Sequence, residues 1–464
     1  MSDVIIALGA LALLIVAAYR GQSVILFAPI AALLAVLLTD AAVTFAVFSE
    51  LFMGRMVSFL KLYLPVFLLG ALFGKLIEIS GFSAALVSAT MRMMGPGRAI
   101  PALVFVCALL TYGGVSLFVV VFAAYPFAAG MFRRANIPKR LIPGAIALGA
   151  FTFTMDCLPG TPQIQNIIPT AYFGTTTWAA PILGGIGGLF ILTFGLAYLE
   201  HARRRALRDH EGYGENHINE PVQVDAASSV HPLVAFMPLL VVAVVNLVLS
   251  KCIPVLFSTT LVTNLPGLEA PLTTNVRSMT AIWAVEGALL AGIATVFGLA
   301  FVPLVRAFTQ QAKNAVSGAL LASINTASEY GFGAVIAALP GFLLIRSSLE
   351  AIPHPLVNEA VTVTTLAGMT GSASGGLSIA LAAMSEQFLR AAQSAGISPE
   401  VLHRVASMAS GGMDTLPHNG AVITLLAVTG LTHRQAYRDI FAITCIKTLA
   451  VFFVIAVYVS TGIS

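Results

Sequence analysis

Four of the chain's 20 acidic side chains sit well inside apolar stretches: Asp156, Glu286, Glu329 and Asp414. A carboxyl group in such surroundings is costly. It is retained where it carries a proton, or where it accepts N–H bonds at a helix end as an N-cap does. Both readings stay open for Asp156 and Asp414. These two share a context, Met155-Asp156-Cys157-Leu158-Pro159 and Met413-Asp414-Thr415-Leu416-Pro417, at an offset of 258 residues. A second pair recurs in the same order, Gly113-Gly114-Val115-Ser116 and Gly375-Gly376-Leu377-Ser378, at an offset of 262. One such match is unremarkable in a biased composition, but two that are collinear point to an internal repeat. Glu286 follows Trp283 in an otherwise plain apolar run and ranks below the others.

The elements that must position these groups follow from composition. Only 9% of the 464 residues are charged and 58% are hydrophobic, with a mean hydropathy of +0.93. A soluble domain carries roughly 25% charged residues. The shortage excludes most soluble enzymes and disordered chains, and leaves an all-α polytopic membrane protein. A formal charge of +4 argues for no nucleic-acid partner. The four cysteines (Cys107, Cys157, Cys252, Cys445) are far apart and read as buried thiols; no metal or cofactor motif is present. Val4–Tyr19 has no basic residue before it and reads as a retained helix rather than a signal peptide.

Membrane-length apolar runs are expected near 4–19, 24–39, 57–77, 178–199, 232–251, 280–305, 315–345 and 437–462. Four further regions, 101–132, 140–173, 359–388 and 398–431, are interrupted by polar, Gly- and Pro-rich patches. A broken helix facing lipid leaves peptide groups unpaired at several kcal/mol each, so such breaks belong around protein or a water-filled cavity. Arginines at both ends of 101–132 make it a re-entrant hairpin from the cytoplasmic side, with TYGGVS (111–116) at its tip. Region 359–388, flanked by Glu350, Glu359 and Glu386, reads as the opposite hairpin with SASGG at its tip. Regions 140–173 and 398–431 are broken transmembrane helices, and Arg306 and Lys313 mark a cytoplasmic turn. The whole is an inverted-topology repeat. It divides into 1–199, a cytoplasmic linker 200–230 rich in arginine at its start, and 231–464.

In such a repeat the ligand site lies where the four interrupted elements meet. Helix N-termini there suit an anion. Candidate substrate-binding residues are Thr111, Tyr112, Gly113, Gly114, Ser116, Thr161, Gln163, Asn166, Ser372, Ser374, Gly375, Gly376, Ser378, Thr415, His418 and Asn419. The competing reading is that their polar atoms only satisfy the broken backbone. No Lys or Arg is expected deep in the breaks, and the seven histidines other than His418 read as loop or helix-end residues.

The stretch ASGGMDTLPHNGAVITLLAVTGLTHRQAYRDI (409–440) resembles the C-terminal signature of the gluconate permease family of bacterial symporters. The rest of the chain is similar to that family in length, helix pattern and Arg-rich central loop. The resemblance implies a homodimeric, elevator-type carrier in the bacterial cytoplasmic (inner) membrane. It also implies proton-coupled uptake of a small anionic hydroxycarboxylate, with sodium open as an alternative ion. Segment 323–342 (SINTASEYGFGAVIAALPGF) departs from the glycine-richer form of gluconate carriers. It looks closer to relatives for short acids such as 3-hydroxybutyrate, with Ser323, Asn325, Thr326 and Glu329 lining the pocket. Asp156, Asp414 and Glu329 are the candidate proton-coupling residues. A D-serine-like amino acid is an alternative substrate. Two other classes were weighed: an intramembrane aspartyl protease using Asp156 and Asp414 as a dyad, and a channel. Neither aspartate lies in a GxGD setting, and no phosphate-binding GxxxxGK loop supports primary pumping.

Overall fold

Large apolar side chains such as Leu38, Phe45, Leu189, Phe301 and Leu449 point outward from the protein. Only a lipid solvent makes that arrangement favourable. A computed structural model describes residues 2–20, 22–115, 117–215, 218–220, 230–257, 259–267, 270–344, 352–417 and 419–464. Nearly all of these are helical, and five helices among them are long and apolar enough to cross a membrane.

The leading helices are α1 (Ser2–Tyr19), α2 (Val24–Thr39) and α3 (Gly54–Ile79), the last reached through a π-helical turn, Val47–Met53. Helix α4 (Phe82–Met94) leads to a hairpin of α5 (Ala99–Tyr112) and α6 (Leu117–Arg134). The first broken helix is α7 (Leu141–Ala150), a single turn Phe153–Asp156, a loop, and α8 (Ile164–Phe173). Helix α9 (Pro181–Arg208) follows, then α10 (Pro232–Leu256). A small antiparallel hairpin, β1 (Thr260–Thr263) and β2 (Leu272–Asn275), was not expected from the sequence. Helix α11 (Val276–Ala338) packs along α3, α10 and α2. The second hairpin is α12 (Pro355–Thr370) and α13 (Ala373–Ser394). The second broken helix is α14 (Pro399–Gly411), a 3-10 turn Gly412–Thr415, and α15 (Gly420–Thr429). Helix α16 (His433–Thr461) ends the chain.

Helix α16 serves as a ruler for the orientation of the hairpins. Near its start, Asp439 holds Arg140 at the foot of the first hairpin. Near its end, Tyr458, Val459 and Gly462 share a cleft with Pro353–Pro355, Ala395 and Ile397 at the foot of the second. Lys447, about 12 Å along the helix from Asp439, reaches Asp156 in the first break. The two hairpins therefore enter from opposite ends of the bundle and their tips approach its middle.

Element ends recur at one offset: α5 and α12 end, and α7 and α14 begin, 258 residues apart. This corrects the glycine match. Gly113 and Gly114 are at a tip, where Gly114 has φ +93°. The second tip is Gly371–Ser372, and Gly375 and Gly376 lie one turn inside α13. The 262-residue offset is four residues, about one helical turn, out of step.

Two other boundaries differ from expectation. The turn placed at Arg306 and Lys313 is instead a kink at Ala300 (φ −136°, ψ 39°), and helix continues to Ala338. The polar run at 306–313 includes two Gln and two Ala, which are good helix formers. Helix α9 continues to Arg208 because Glu200 pairs with Arg203 and Arg204 one turn on. Of the cysteines, Cys107 and Cys157 are buried, but Cys252 is half-buried and Cys445 exposed, because an apolar helix face can look outward.

Residues 209–215 and 218–220 strap the end of the bundle. Lys139 and Arg133 both pair with Glu220, Tyr213 donates to it at 2.9 Å, and Asn219 donates to Ala427 O at 2.8 Å. Arg140 clasps Glu211 with two bonds. Partial desolvation pushes the Glu220 carboxyl up, but Lys139, Tyr213 and Arg133 outweigh it and hold it below the ordinary range. A depressed carboxyl stabilises the fold above its unfolded value. That contribution is lost as pH falls from about 4.3 through the folded-state value. Protection of 209–215 and 218–220 against hydrogen exchange, taken relative to the intrinsic amide rate at each pH, should fall over this window in the native chain. In Glu220→Gln that protection should be lower at neutral pH and unchanged across the window.

Gly376 marks the closest approach in the second hairpin: a Cβ there would lie 2.0 Å from Ala367 Cα, whereas Gly420 has open space. Gly376→Ala should destabilise the protein by about 1–3 kcal/mol. Gly420→Ala should stay within about 0.5 kcal/mol. Melting in detergent compares them.

Candidate functional site

The loop between α7 and α8 leaves carbonyls that no helix satisfies, and side chains from both repeats reach them. Arg404 on α14 is fully buried. It donates to Asp156 O, to Asn166 Oδ1 at 3.0 Å, and twice to Ala179 O at 2.7 and 3.2 Å. Ser407 Oγ, one turn on, lies 3.1 Å from Asp156 O and 3.0 Å from Gln165 O. Asn166 donates to Thr161 O and Thr177 O, Asn246 to Gly160 O, and Tyr112 to Pro159 O. His403 is buried between Asn166 Oδ1 (3.1 Å) and Thr175 Oγ1 (2.7 Å). Gln163 ties this loop to the first hairpin tip by donating to Thr111 O at 2.7 Å.

The second break meets the second tip. Asn419 donates to Gly371 O at 2.8 Å and caps α15 by accepting from Ala421 N at 2.7 Å. Thr415 shares a hydrogen bond with Thr444. Asp414 gathers the rest. One carboxyl oxygen accepts from Gln165 Nε2 at 2.7 Å, and the other from Ala373 N at 3.0 Å and Asn419 Nδ2 at 3.2 Å. The donors come from the first break, the second hairpin and the second break. Asp414 thus sits at the N-terminus of α13, where a negative charge is favoured. The N-cap idea holds in altered form: the helix it serves belongs to the hairpin, not to its own break.

Asp156 is held differently. Lys447 on α16 forms a fully buried ion pair with it, and the Cys157 thiol donates to the same oxygen at 3.0 Å. Its other oxygen has no partner. Gly411 makes room, since a Cβ there would lie 1.7 Å from that free oxygen. Glu329 on α11 is buried, with its carboxyl against the first turn of α13. Gly375 makes room for it, because a Cβ would lie 1.8 Å from its Oε2. Glu329 and Asp414 thus both meet the first turn of α13, whereas Asp156 is paired with Lys447.

The remaining candidates divide. Thr111 and Thr161 have buried hydroxyls without partners, as does Ser328 on α11. Gly113 packs on Leu239 and Gly114 on Pro162. Ser372 caps α13, Ser374 stands 3.5 Å from it, and Ser378 turns back to Ser374 O. Ser323 and Thr326 bond back to their own helix, and Asn325 is partly exposed on the same helix. Ser116 and His418 lie outside the described residues.

Several expectations need correction. Arg404 and Lys447 are deep in the bundle, and His403 is a buried core residue. Glu359, expected as a flanking charge, is fully buried and neither of its oxygens has a partner. Asp439, which stands at the very start of the expected run 437–462, is buried against Arg140 and Tyr198.

No protein-family model matches the chain. The "uncharacterized transporter YxjC" of Bacillus subtilis (strain 168) is 55% identical over 470 residues, covering 99% of this chain and all of that protein. The chain belongs to this transporter family. A crystal structure of the Alcanivorax borkumensis YdaH transporter, described as having an unusual topology, matches with a TM-score of 0.52 at 16% identity. The match covers 92% of this chain and 90% of that one, and at such identity it speaks for the fold. The chain is accordingly a multi-pass membrane transporter and not an enzyme. The protease reading also fails on geometry, because Asp156 and Asp414 bond to separate partners and not to each other.

Removing Arg404 strands several buried acceptors at once. Arg404→Met should cost about 3–5 kcal/mol. Arg404→Lys should recover little, since an ammonium cannot reproduce the planar fork. Thermal unfolding of the purified protein measures both.

Proposed function

We propose that this transporter is a secondary active symporter of the gluconate permease type, importing a small hydroxycarboxylate with protons across the bacterial cytoplasmic membrane. The observation that carries the reading is Asp414. It is a buried carboxyl bound by donors from both repeats, at a helix N-terminus and next to Glu329. Intramembrane acids in such positions serve proton relay. Substrate carboxylate and hydroxyls would be recognised by hydroxyls from the tips and breaks: Thr111, Thr161 and Ser374. The departure of segment 323–342 from gluconate carriers favours a short acid of the 3-hydroxybutyrate kind. A homodimer in which the hairpins and breaks move against the remaining helices is the architecture that goes with this reading.

Uptake by proteoliposomes under an imposed proton gradient tests it. Accumulation of 3-hydroxybutyrate or gluconate is expected. A thermal-shift screen adds an independent check, since a ligand at 100 times its Kd stabilises by about 2.7 kcal/mol. Asp414→Asn should remain folded and lose accumulation against a gradient. If neither acid is bound or accumulated, the assignment fails. If Asp414→Asn accumulates normally, that residue leaves the ion path.

A further inference from the structure

The two repeat-related aspartates are not equivalent. Asp156 closes on Lys447, with the Cys157 thiol beside the pair and Gly411 shaped to admit it. Among the described residues, Asp414 has no ammonium or guanidinium bonded to it; its partners are an amide, a second amide and a backbone N–H. We propose that Lys447 is a resident cation that permanently fills the first of two repeat-related ion sites, so that Asp414 and Glu329 together form the single exchangeable site for the coupling ion. This rests on the reading of the protein as an ion-coupled carrier and fixes where, and how many times, the ion binds.

The charge inventory of the interior supports it. Five charged side chains are buried around the breaks: Lys447, Arg404, Asp156, Asp414 and Glu329. Lys447 cancels Asp156 directly. Arg404 balances one of the two remaining carboxyls. A surplus negative charge in a water-poor interior is strongly unfavourable, and one bound proton removes it. That proton belongs on the acids without a bonded cation, Glu329 and Asp414, which both meet the first turn of α13, one at Gly375 and the other at Ala373 N. Asp156 and Lys447 are the further charges that Asp414 senses.

The other buried ionisable groups stand apart. Lys139 and Asp439 pair with Glu220 and Arg140 at the strap. Glu359 is eleven residues before the end of α12, roughly 16 Å along the helix from the tip. His403 is satisfied as a neutral ring by Thr175 and Asn166.

The test counts protonated carboxyls by infrared spectroscopy on the purified protein without substrate, in a Glu286→Gln/Glu359→Gln background that removes the bands of those two intramembrane acids. Wild type should show one buried carboxylic-acid band. Asp414→Asn and Glu329→Gln should each lose it. Lys447→Met should roughly double its amplitude, because Asp156 then needs a proton. Asp156→Asn/Lys447→Met should restore the wild-type amplitude; this neutral pair leaves no stranded charge and covers the case in which Lys447→Met does not fold. In proteoliposomes the double variant should also keep the wild-type ion-to-substrate ratio with 3-hydroxybutyrate. Loss of the band in the double variant, or its persistence in both Asp414→Asn and Glu329→Gln, would overturn the proposal. Failure of wild type to move 3-hydroxybutyrate or gluconate would strike the substrate assignment alone, since the infrared count needs no substrate.

Discussion

A helix interrupted inside a bilayer exposes peptide groups that lipid cannot satisfy, and most of this structure is organised by that constraint. The first break is tolerable because Arg404 supplies its guanidinium to Asp156 O, Ala179 O and Asn166 Oδ1. Each exposed carbonyl would otherwise cost several kcal/mol. The donor comes from the opposite repeat, so the first break is closed in part by the other half. Ser407 does the same from the same helix face. In return, Gln165 of the first break donates to Asp414 of the second. The repeats are joined by an exchange of hydrogen bonds as well as by packing, and the exchange fixes the relative position of the two breaks.

The same constraint decides which polar residues are structural. Asn166 uses both donors on loop carbonyls and its oxygen on Arg404 and His403. Gln163 uses its amide on the first tip. Such residues hold the geometry on which a ligand would depend. By contrast, Thr111 Oγ1, Thr161 Oγ1, Gln165 Oε1 and Asp156 Oδ2 are buried and unmatched. They lie on the hairpin and the break that Gln163 ties together.

The interruptions themselves were legible in the sequence. Gly, Pro and polar clusters within otherwise membrane-length apolar runs have few readings, and both hairpins and both broken helices stand where those clusters occur. The buried cations were not legible by the same route. Arg404 and Lys447 lie in helices whose period shows no disruption, and a lone base near a helix end reads as a sidedness marker. Yet Lys447 lies some fourteen residues into a 29-residue helix, and the rule applied to lone intramembrane acids applied equally to it. Glu359 was misread for the reverse reason, since its flanking position suggested solvent. The glycine match misled by one turn because composition favours Gly-Gly pairs, whereas the element ends keep a single offset.

Unmatched buried atoms in a folded protein are a cost of about 1–3 kcal/mol each, and natural structures keep few of them. Their grouping therefore carries information. A carrier must hold its ligand and release it, so its site has to stand without the ligand. Cross-repeat bonds from Arg404, Ser407 and Gln165 supply that independent support, and they leave other polar atoms free of structural duty. On the proposed reading, the free hydroxyls would take the substrate's oxygens and the Glu329–Asp414 pair would take the ion. Binding would then recover a cost that the scaffold already sustains, without requiring the breaks to be rebuilt in each cycle. The division of labour follows from burial and valence alone: a polar atom committed to a broken backbone cannot also recognise a ligand.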